Sequence, residues 1–293
     1  MLSILIPTYN YDCYNLVYEL HCQASECNIL FEIIVANDCS TKDLSKLQTI
    51  NNMPNCKLVN LEHNLGRAKI RNYLASIAQY DTFLYLDSDS LPASKNFIAN
   101  YIKHISENII LLGGRIYNPA QSPNHTLLTK YGATKEQNQN TIIKSNAPFT
   151  SPNFLISREI FNKIKFNENI KGYGHEDTIF GIELQRKNIP FFRFNNPIIH
   201  LQIEDNITFL KKTEESIQNL YNIYISKQYP EIEQISPILR LYKKINKIKL
   251  TPIFSKLYQK KLALLQKLCC SKNPNLNIFS LYKLCYLCHI ASK

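Results

Sequence analysis

Glycine is in short supply, with seven in 293 residues. Glycine enters backbone regions closed to other residues, so each of the seven marks a position to read individually. Long apolar runs are missing too. No stretch reaches the roughly 18 apolar residues that a bilayer-crossing helix needs, which excludes a membrane-spanning reading of these residues. The opening "MLSILIPTYN" carries no basic residue and its apolar run stops at Pro7, too short for a secretory signal. Nine cysteines, an odd number without regular spacing, exclude a disulfide framework. The expectation is a cytoplasmic chain with free thiols. Cys269, Cys270, Cys285 and Cys288 could meet around zinc, but without the paired spacing usual for such sites. Acidic residues stop before Gln234. From there to Lys293, eleven lysines and one arginine give +12 against +11 for the whole chain, leaving residues 1–233 at −1. The basic character therefore belongs to the tail, and no internal repeat is visible.

What is present suits a core: 45% hydrophobic and 19% charged residues, enough for one large domain or a domain with an appendage. Apolar runs alternate with helical stretches. Leu2–Ile6 runs into "PTYN", a helix follows to about Ser25, and "FEIIVANDCS" ends on Asn37 and Asp38. Lys57–Leu61 is a third run, and "GRAKIRNYLASIAQ" sets Ile70, Leu74, Ile77 and Ala78 on one helical face. "FLYLDSDS", a helix near Ser94–Ile105 and "IILLGG" follow. Runs this apolar predict a parallel sheet covered on both faces. Ligands then collect beyond the carboxyl ends of the strands, which singles out Thr8, Tyr9, Asp38, Asp87 and Asp89. Residues 117–150 are polar and poorly periodic and are expected to be a loop over the substrate. "KGYGHEDTIFGIELQRKN" predicts a helix from about His175–Asp177, "PFFRF" and "PIIHLQ" are closing strands, and everything beyond about residue 205 reads as helix.

Asp87 and Asp89 end a buried strand with only Ser88 between them. Two carboxylates so placed repel unless a divalent cation sits with them, and hard oxygen ligands suit Mg2+ or Mn2+. A solvated turn is the plain alternative. Asp38 can accept a hydrogen bond from a base or ribose, or cap a turn. Arg67 and Arg71, four apart near a helix N-terminus, favour an anion such as a diphosphate and would equally suit a solvated face. Glu176 and Asp177 offer a general base, or compensation of a helix dipole.

In this order, "SILIPTYN", "FEIIVANDCST", "NLGRAKIRN", "FLYLDSDSL" and "NFLISREIFNKIKFNENIKGYGHEDTIFGIEL" resemble family 2 glycosyltransferases of the GT-A fold. The last piece is similar to a galactosyltransferase-type acceptor segment. The resemblance implies an α/β, Rossmann-like, mostly parallel sheet flanked by helices over residues 1–205, followed by a helical extension over 206–293. Residues 1–115 would bind the nucleotide sugar and 116–205 the acceptor. Pro7, Thr8, Tyr9 and Asp38 would hold the base with Arg71 close by. Asp87, Ser88 and Asp89 would match the DxD motif, with Asp89 the principal ligand of Mn2+ or Mg2+ and Asp87 near ribose or metal. Asp177 would be the catalytic base and Glu176 would help hold the acceptor. His200 resembles a histidine that completes the metal site in some relatives, although a lone histidine among apolar residues also fits a structural place. Two departures stand out: Asn37-Asp38 replaces the family's Asp-Asp, and Glu183-Leu184 replaces a common Arg-Leu.

The resemblance thus implies an inverting, metal-dependent transfer of a sugar from a UDP-linked donor to a hydroxyl of a surface polysaccharide or glycolipid. In the tail, Lys256, Lys260, Lys261 and Lys267 alternate with Phe254, Leu257, Leu264, Leu265 and Leu268. That basic amphipathic pattern suits an anionic membrane surface on the cytoplasmic side, and so does the apolar "LNIFSLYKLCYLCHI". A packed helical bundle is the other reading of the tail. Two rival functions remain. A nucleotidyltransferase would need a glycine-rich basic loop that "SILIPTYNYDCYN" lacks, and nucleic-acid binding by the tail has only slight aromatic support.

Overall fold

The computed structural model describes residues 1–105, 109–118, 123–136, 143–144 and 148–293. They divide into two units. The first takes Met1–Asn118, Glu136–Asn169 and Glu176–Gln202; the second takes Pro119–Lys135, Ile170–His175 and Ile203–Lys293.

In the first unit the apolar runs become strands β1 (Leu2–Thr8), β2 (Phe31–Asn37), β3 (Cys56–Asn60), β4 (Thr82–Leu86), β5 (Ser90–Pro92), β6 (Leu111–Leu112), β7 (Arg115–Tyr117), β8 (Ile143–Lys144), β9 (Asn153–Ser157), β10 (Phe192–Arg193) and β11 (Ile198–His200). Eight form one sheet in the order β3-β2-β1-β4-β9-β6-β10-β8. The first four in that order are parallel, β9 runs antiparallel to β4 and β6, and β8 antiparallel to β10. The sheet is thus mostly parallel, as expected, with β9 and β8 the antiparallel members. Side chains alternate between two cores. Leu2, Ile4 and Ile6 join the side covered by α1 (Tyr14–Glu26) and α3 (Phe97–Ile102), while Leu5, Phe83 and Tyr85 join that covered by α2 (Arg67–Ile77), α5 (Arg158–Ile164) and α6 (Glu176–Arg186).

The parallel register brings the strand ends to one edge. Thr8 pairs with Asn37 across β1 and β2, and Leu5 with Tyr85 across β1 and β4. Beside that edge β5, β11 and β7 make a small second sheet, in which His200 pairs with both Ser90 and Tyr117. Gly113 forms the corner between β6 and β7. A Cβ there would overlap the Asn196 carbonyl, the Tyr101 hydroxyl and the Asn153 amide, so only glycine fits.

The second unit is helical: α4 (Thr126–Lys135), α7 (Asn206–Ser226), α8 (Ile232–Ile235), α9 (Pro237–Lys247), α10 (Thr251–Cys269) and α11 (Leu276–Ala291). Parts of the expected loop 117–150 lie outside the described residues. What is described there includes α4, which buries Leu127, Leu128 and Thr129 behind a polar composition that hid it. Asp205 caps α7, accepting from the Ile207 and Thr208 N–H groups at 3.0 and 3.0 Å. Of the two readings of the tail, residues 276–290 follow the packed bundle. In α11, Phe279, Tyr282, Leu284, Cys285, Leu287 and Cys288 are all buried, and the Tyr282 and Tyr258 hydroxyls both donate to Glu214. All nine cysteines are free. Among the described residues no three His, Cys, Asp or Glu side chains gather as a metal cluster.

Candidate active site

The site is assembled from the ends of β1, β2 and β4, the start of α2, the start of α6 and the small sheet. Thr8 is buried and its hydroxyl donates to the Tyr11 carbonyl at 2.8 Å. Pro7 lies opposite Ala36 in the ladder, and Tyr9, just beyond it, is half exposed. Asp38 is buried, and its two carboxylate oxygens accept the Leu65 and Gly66 N–H groups at 2.6 and 3.0 Å. The carboxylate thereby fixes the turn into α2, where Gly66 takes φ +78°, a conformation costly for any other residue.

Arg71 is the buried centre of the arrangement. One nitrogen, Nη2, donates to Asp87 Oδ1 at 3.2 Å; the other, Nη1, lies 3.4 Å from Glu176 Oε1, and the guanidinium sits over the Phe166 ring at 5.4 Å. Arg67 adds a longer contact to the same Glu176 oxygen, 3.6 Å. Arg115 takes the other face of Asp87, donating to Oδ2 at 3.3 Å and to the Tyr117 hydroxyl at 3.2 Å. Both oxygens of Asp87 are thus held by guanidinium groups, a strong charge-assisted arrangement. Ser88 lies in the turn, and Ser90 donates back to the Asp87 carbonyl at 2.6 Å.

Asp89 has different company. Its Oδ2 is 3.1 Å from His200 Nε2. Burial pushes its carboxyl up, but the hydrogen bond and charge of His200, with Arg115 and Arg67, outweigh that and hold it below the usual carboxylate range. Asp177 behaves in the opposite way. Burial and the adjacent Glu176 charge push it up to about 7, against the Thr178 N–H, Arg71 and Arg67. That N–H donates to Asp177 Oδ1 at 2.7 Å.

Of the sequence-derived candidates, Arg71, Asp87 and Glu176 form one contact group and Asp89 with His200 another, whereas Thr8 and Asp38 hold backbone. Arg115 and Tyr117 were missed. The available signal was the Gly113-Gly114 pair in a glycine-poor chain, which marks the backbone crossing just before Arg115. For a divalent cation the donor set fits in part: one carboxylate and one imidazole converge, and His200 Nδ1 is buried without a hydrogen-bond partner, so the ring acts through Nε2. Two protein ligands suit Mg2+ or Mn2+, which keep water and bind phosphate oxygens.

A family model for glycosyl transferase family 2 matches residues 3–165, more than half of the chain. The chain belongs to glycosyl transferase family 2. An uncharacterised glycosyltransferase of Rickettsia bellii (strain RML369-C) is 26% identical over 224 residues, covering 75% of this chain and 31% of that protein. The chain therefore spans about a third of that relative's length. Two solved structures share the fold. The mannosyltransferase PcManGT of Pyrobaculum calidifontis, solved with GDP-Man and Mn2+, is 12% identical with TM-score 0.56, over 99% of this chain and 86% of its own. GalNAc-T7, solved with UDP, GalNAc and Mn2+, is 15% identical with TM-score 0.52, over 84% and 55%. The family 2 chain has the GT-A architecture, a mostly parallel sheet flanked by helices with a helical C-terminal region.

Proposed function

We propose that this family 2 chain is an inverting, metal-dependent glycosyltransferase. It moves a sugar from a nucleotide diphosphate, UDP-linked, to a hydroxyl of a glycan or lipid-linked glycan. The observation that carries the reading is Arg71, whose guanidinium spans Asp87 of the DxD motif and Glu176 of the acidic pair at 3.2 and 3.4 Å. One buried group thereby ties the donor-side motif to the acidic pair that carries the candidate base. Support for nucleotide sugars and Mn2+ comes from the two fold neighbours, which hold GDP-Man and UDP with Mn2+.

In this reading Thr8, Tyr9 and Asp38 frame the base subsite, and Asp89 with His200 would hold Mn2+ or Mg2+. A bound cation supplies positive charge beside the departing diphosphate. Asp177, poised near neutrality by burial and Glu176, takes the proton of the acceptor hydroxyl as its oxygen attacks the anomeric carbon. The bond to the diphosphate breaks on the opposite face, inverting the centre. Glu176 is oriented by Arg71 toward the acceptor. Residues 1–115 serve the donor and 116–205, with their galactosyltransferase-type segment, the acceptor. A panel of nucleotide sugars with Mn2+ tests this: one UDP-sugar should be hydrolysed or transferred. No turnover with any of them sinks the reading.

The membrane partner also belongs to this proposal. Among the described residues no helix is long and apolar enough to cross a membrane. Yet Leu241, Ile248, Ile253, Leu264 and Leu268 are exposed, at 39–62%, among exposed lysines of α9 and α10. Lipid rewards both kinds of side chain, whereas a nucleic acid rewards only the lysines; each lysine near an anionic leaflet adds up to about 1 kcal/mol. The triple variant Ile253→Glu, Leu264→Glu, Leu268→Glu should leave anionic vesicles in a flotation assay. Unchanged flotation rejects the surface.

A further inference from the structure

The loop that delivers Glu176 and Asp177 has a demanding backbone. Gly172, Gly174 and His175 all take positive φ, +78°, +90° and +74°. For His175, which has a Cβ, that region is strained. Loop Ile170–His175 groups with the helical unit and not with the sheet, and α7 explains how its shape is kept. The Asn219 amide nitrogen donates to the carbonyls of Lys171 and Tyr173, at 2.7 and 3.0 Å. Ser216 Oγ lies 3.2 Å from His175 Nε2, and Lys212 Nζ is 5.3 Å from the centre of the Tyr173 ring. Positions 212, 216 and 219 follow helical spacing and share one stripe of α7. The fit is close as well: a Cβ on Gly174 would come within 2.7 Å of Ser216 Oγ.

We infer that Asn219 and Ser216 are positioning residues, through which α7 sets the loop that runs directly into Glu176 and Asp177. α7 and the loop it holds both belong to the helical unit. A carbonyl pair held by one amide fixes the Lys171–Gly172 and Tyr173–Gly174 peptide planes. Losing it lets the loop leave its strained conformation and moves the carboxylates that follow. The proposed donor residues sit on other elements, at the ends of β1, β2, β4 and β11.

The inference rests on the proposed transferase reading, so the test separates the two. In the full chain, wild type and Asp177→Asn first establish transfer and its dependence on the base; absence of wild-type transfer refutes that reading and leaves α7's grip to be judged by amide exchange. Asn219→Ala should lower kcat about 10- to 100-fold, with the Kd for UDP in Mn2+ and the donor KM within about twofold, as expected when orientation and not binding is lost. Asn219→Asp, similar in shape but without the amide donor, should do the same. Exchange of the amides of 171–177 should quicken in both. Ser216→Ala, which favours helix and keeps the fold if Asn219→Ala does not, should lose turnover in the same sense by a smaller factor. Wild-type kcat in Asn219→Ala, or in Ser216→Ala if the former does not fold, overturns the inference. So does a loss of UDP affinity matching the loss of kcat, or unchanged exchange over 171–177.

Discussion

At the end of β4, Asp87 and Asp89 stand one residue apart; at the start of α6, Glu176 and Asp177 are adjacent. Each pair splits its members in the same way. Asp87 and Glu176 are tied to the shared guanidinium of Arg71. Asp89 turns to His200, and Asp177 to the Thr178 N–H. The electrostatic outcomes are opposite, with Asp89 held low and Asp177 pushed up to about 7. The difference follows from neighbours: imidazole and guanidinium favour the carboxylate form, whereas burial beside another carboxylate opposes it. Each pair thus holds one member anchored to Arg71 and one turned elsewhere; in the proposed function the latter are a low-pKa ligand in the strand pair and a near-neutral base in the helix pair.

That comparison can be broken in order of expected effect. Asp177→Asn removes the proton acceptor and should cut kcat by about 10²–10⁴-fold, read by a transfer assay. Asp89→Asn should cost more than Asp87→Asn in the Mn2+ concentration needed for half-maximal rate; equal shifts would erase the distinction between ligand and anchor. Arg71→Met leaves Asp87 and Glu176 without their shared cation, and breaking a buried pair costs about 3–5 kcal/mol, visible as a lower denaturation midpoint. The smallest effect is on pH. Asp177 must be ionised to act, so kcat/KM should rise with pH through about 7. Glu176→Gln removes a charge that raises Asp177 and should move this acid limb to lower pH. The same shift has a sign for stability: the raised carboxyl favours the fold below the unfolded value of about 4, and that contribution is lost as pH rises through about 7.

The sequence revealed the parallel half of the sheet because β1, β2 and β4 are long enough for apolar runs to declare themselves. It also revealed the acidic pairs, whose residue types and position at strand or helix ends are local facts. In the small sheet β11 was legible within "PIIHLQ", whereas β5 and β7, three residues each, are too short for periodicity. Arg115 escaped with β7. Arg71 was legible as a site residue, but its bridge to Glu176 spans 105 positions and no local pattern encodes it. The tail had two readings at α11, since an apolar helix has the same composition whether lipid or other helices cover it. The grip of α7 on the loop 170–175 was equally hidden, because Ser216 and Asn219 look like ordinary polar positions on a helix.

The most direct measurement pairs transfer rate with UDP affinity for Asp89→Asn and Asp177→Asn in one Mn2+ buffer. The account predicts a split: Asp89→Asn loses Mn2+-dependent UDP binding, whereas Asp177→Asn binds UDP like the wild type and transfers almost nothing. Both variants losing UDP binding together, or either keeping wild-type transfer, would contradict it.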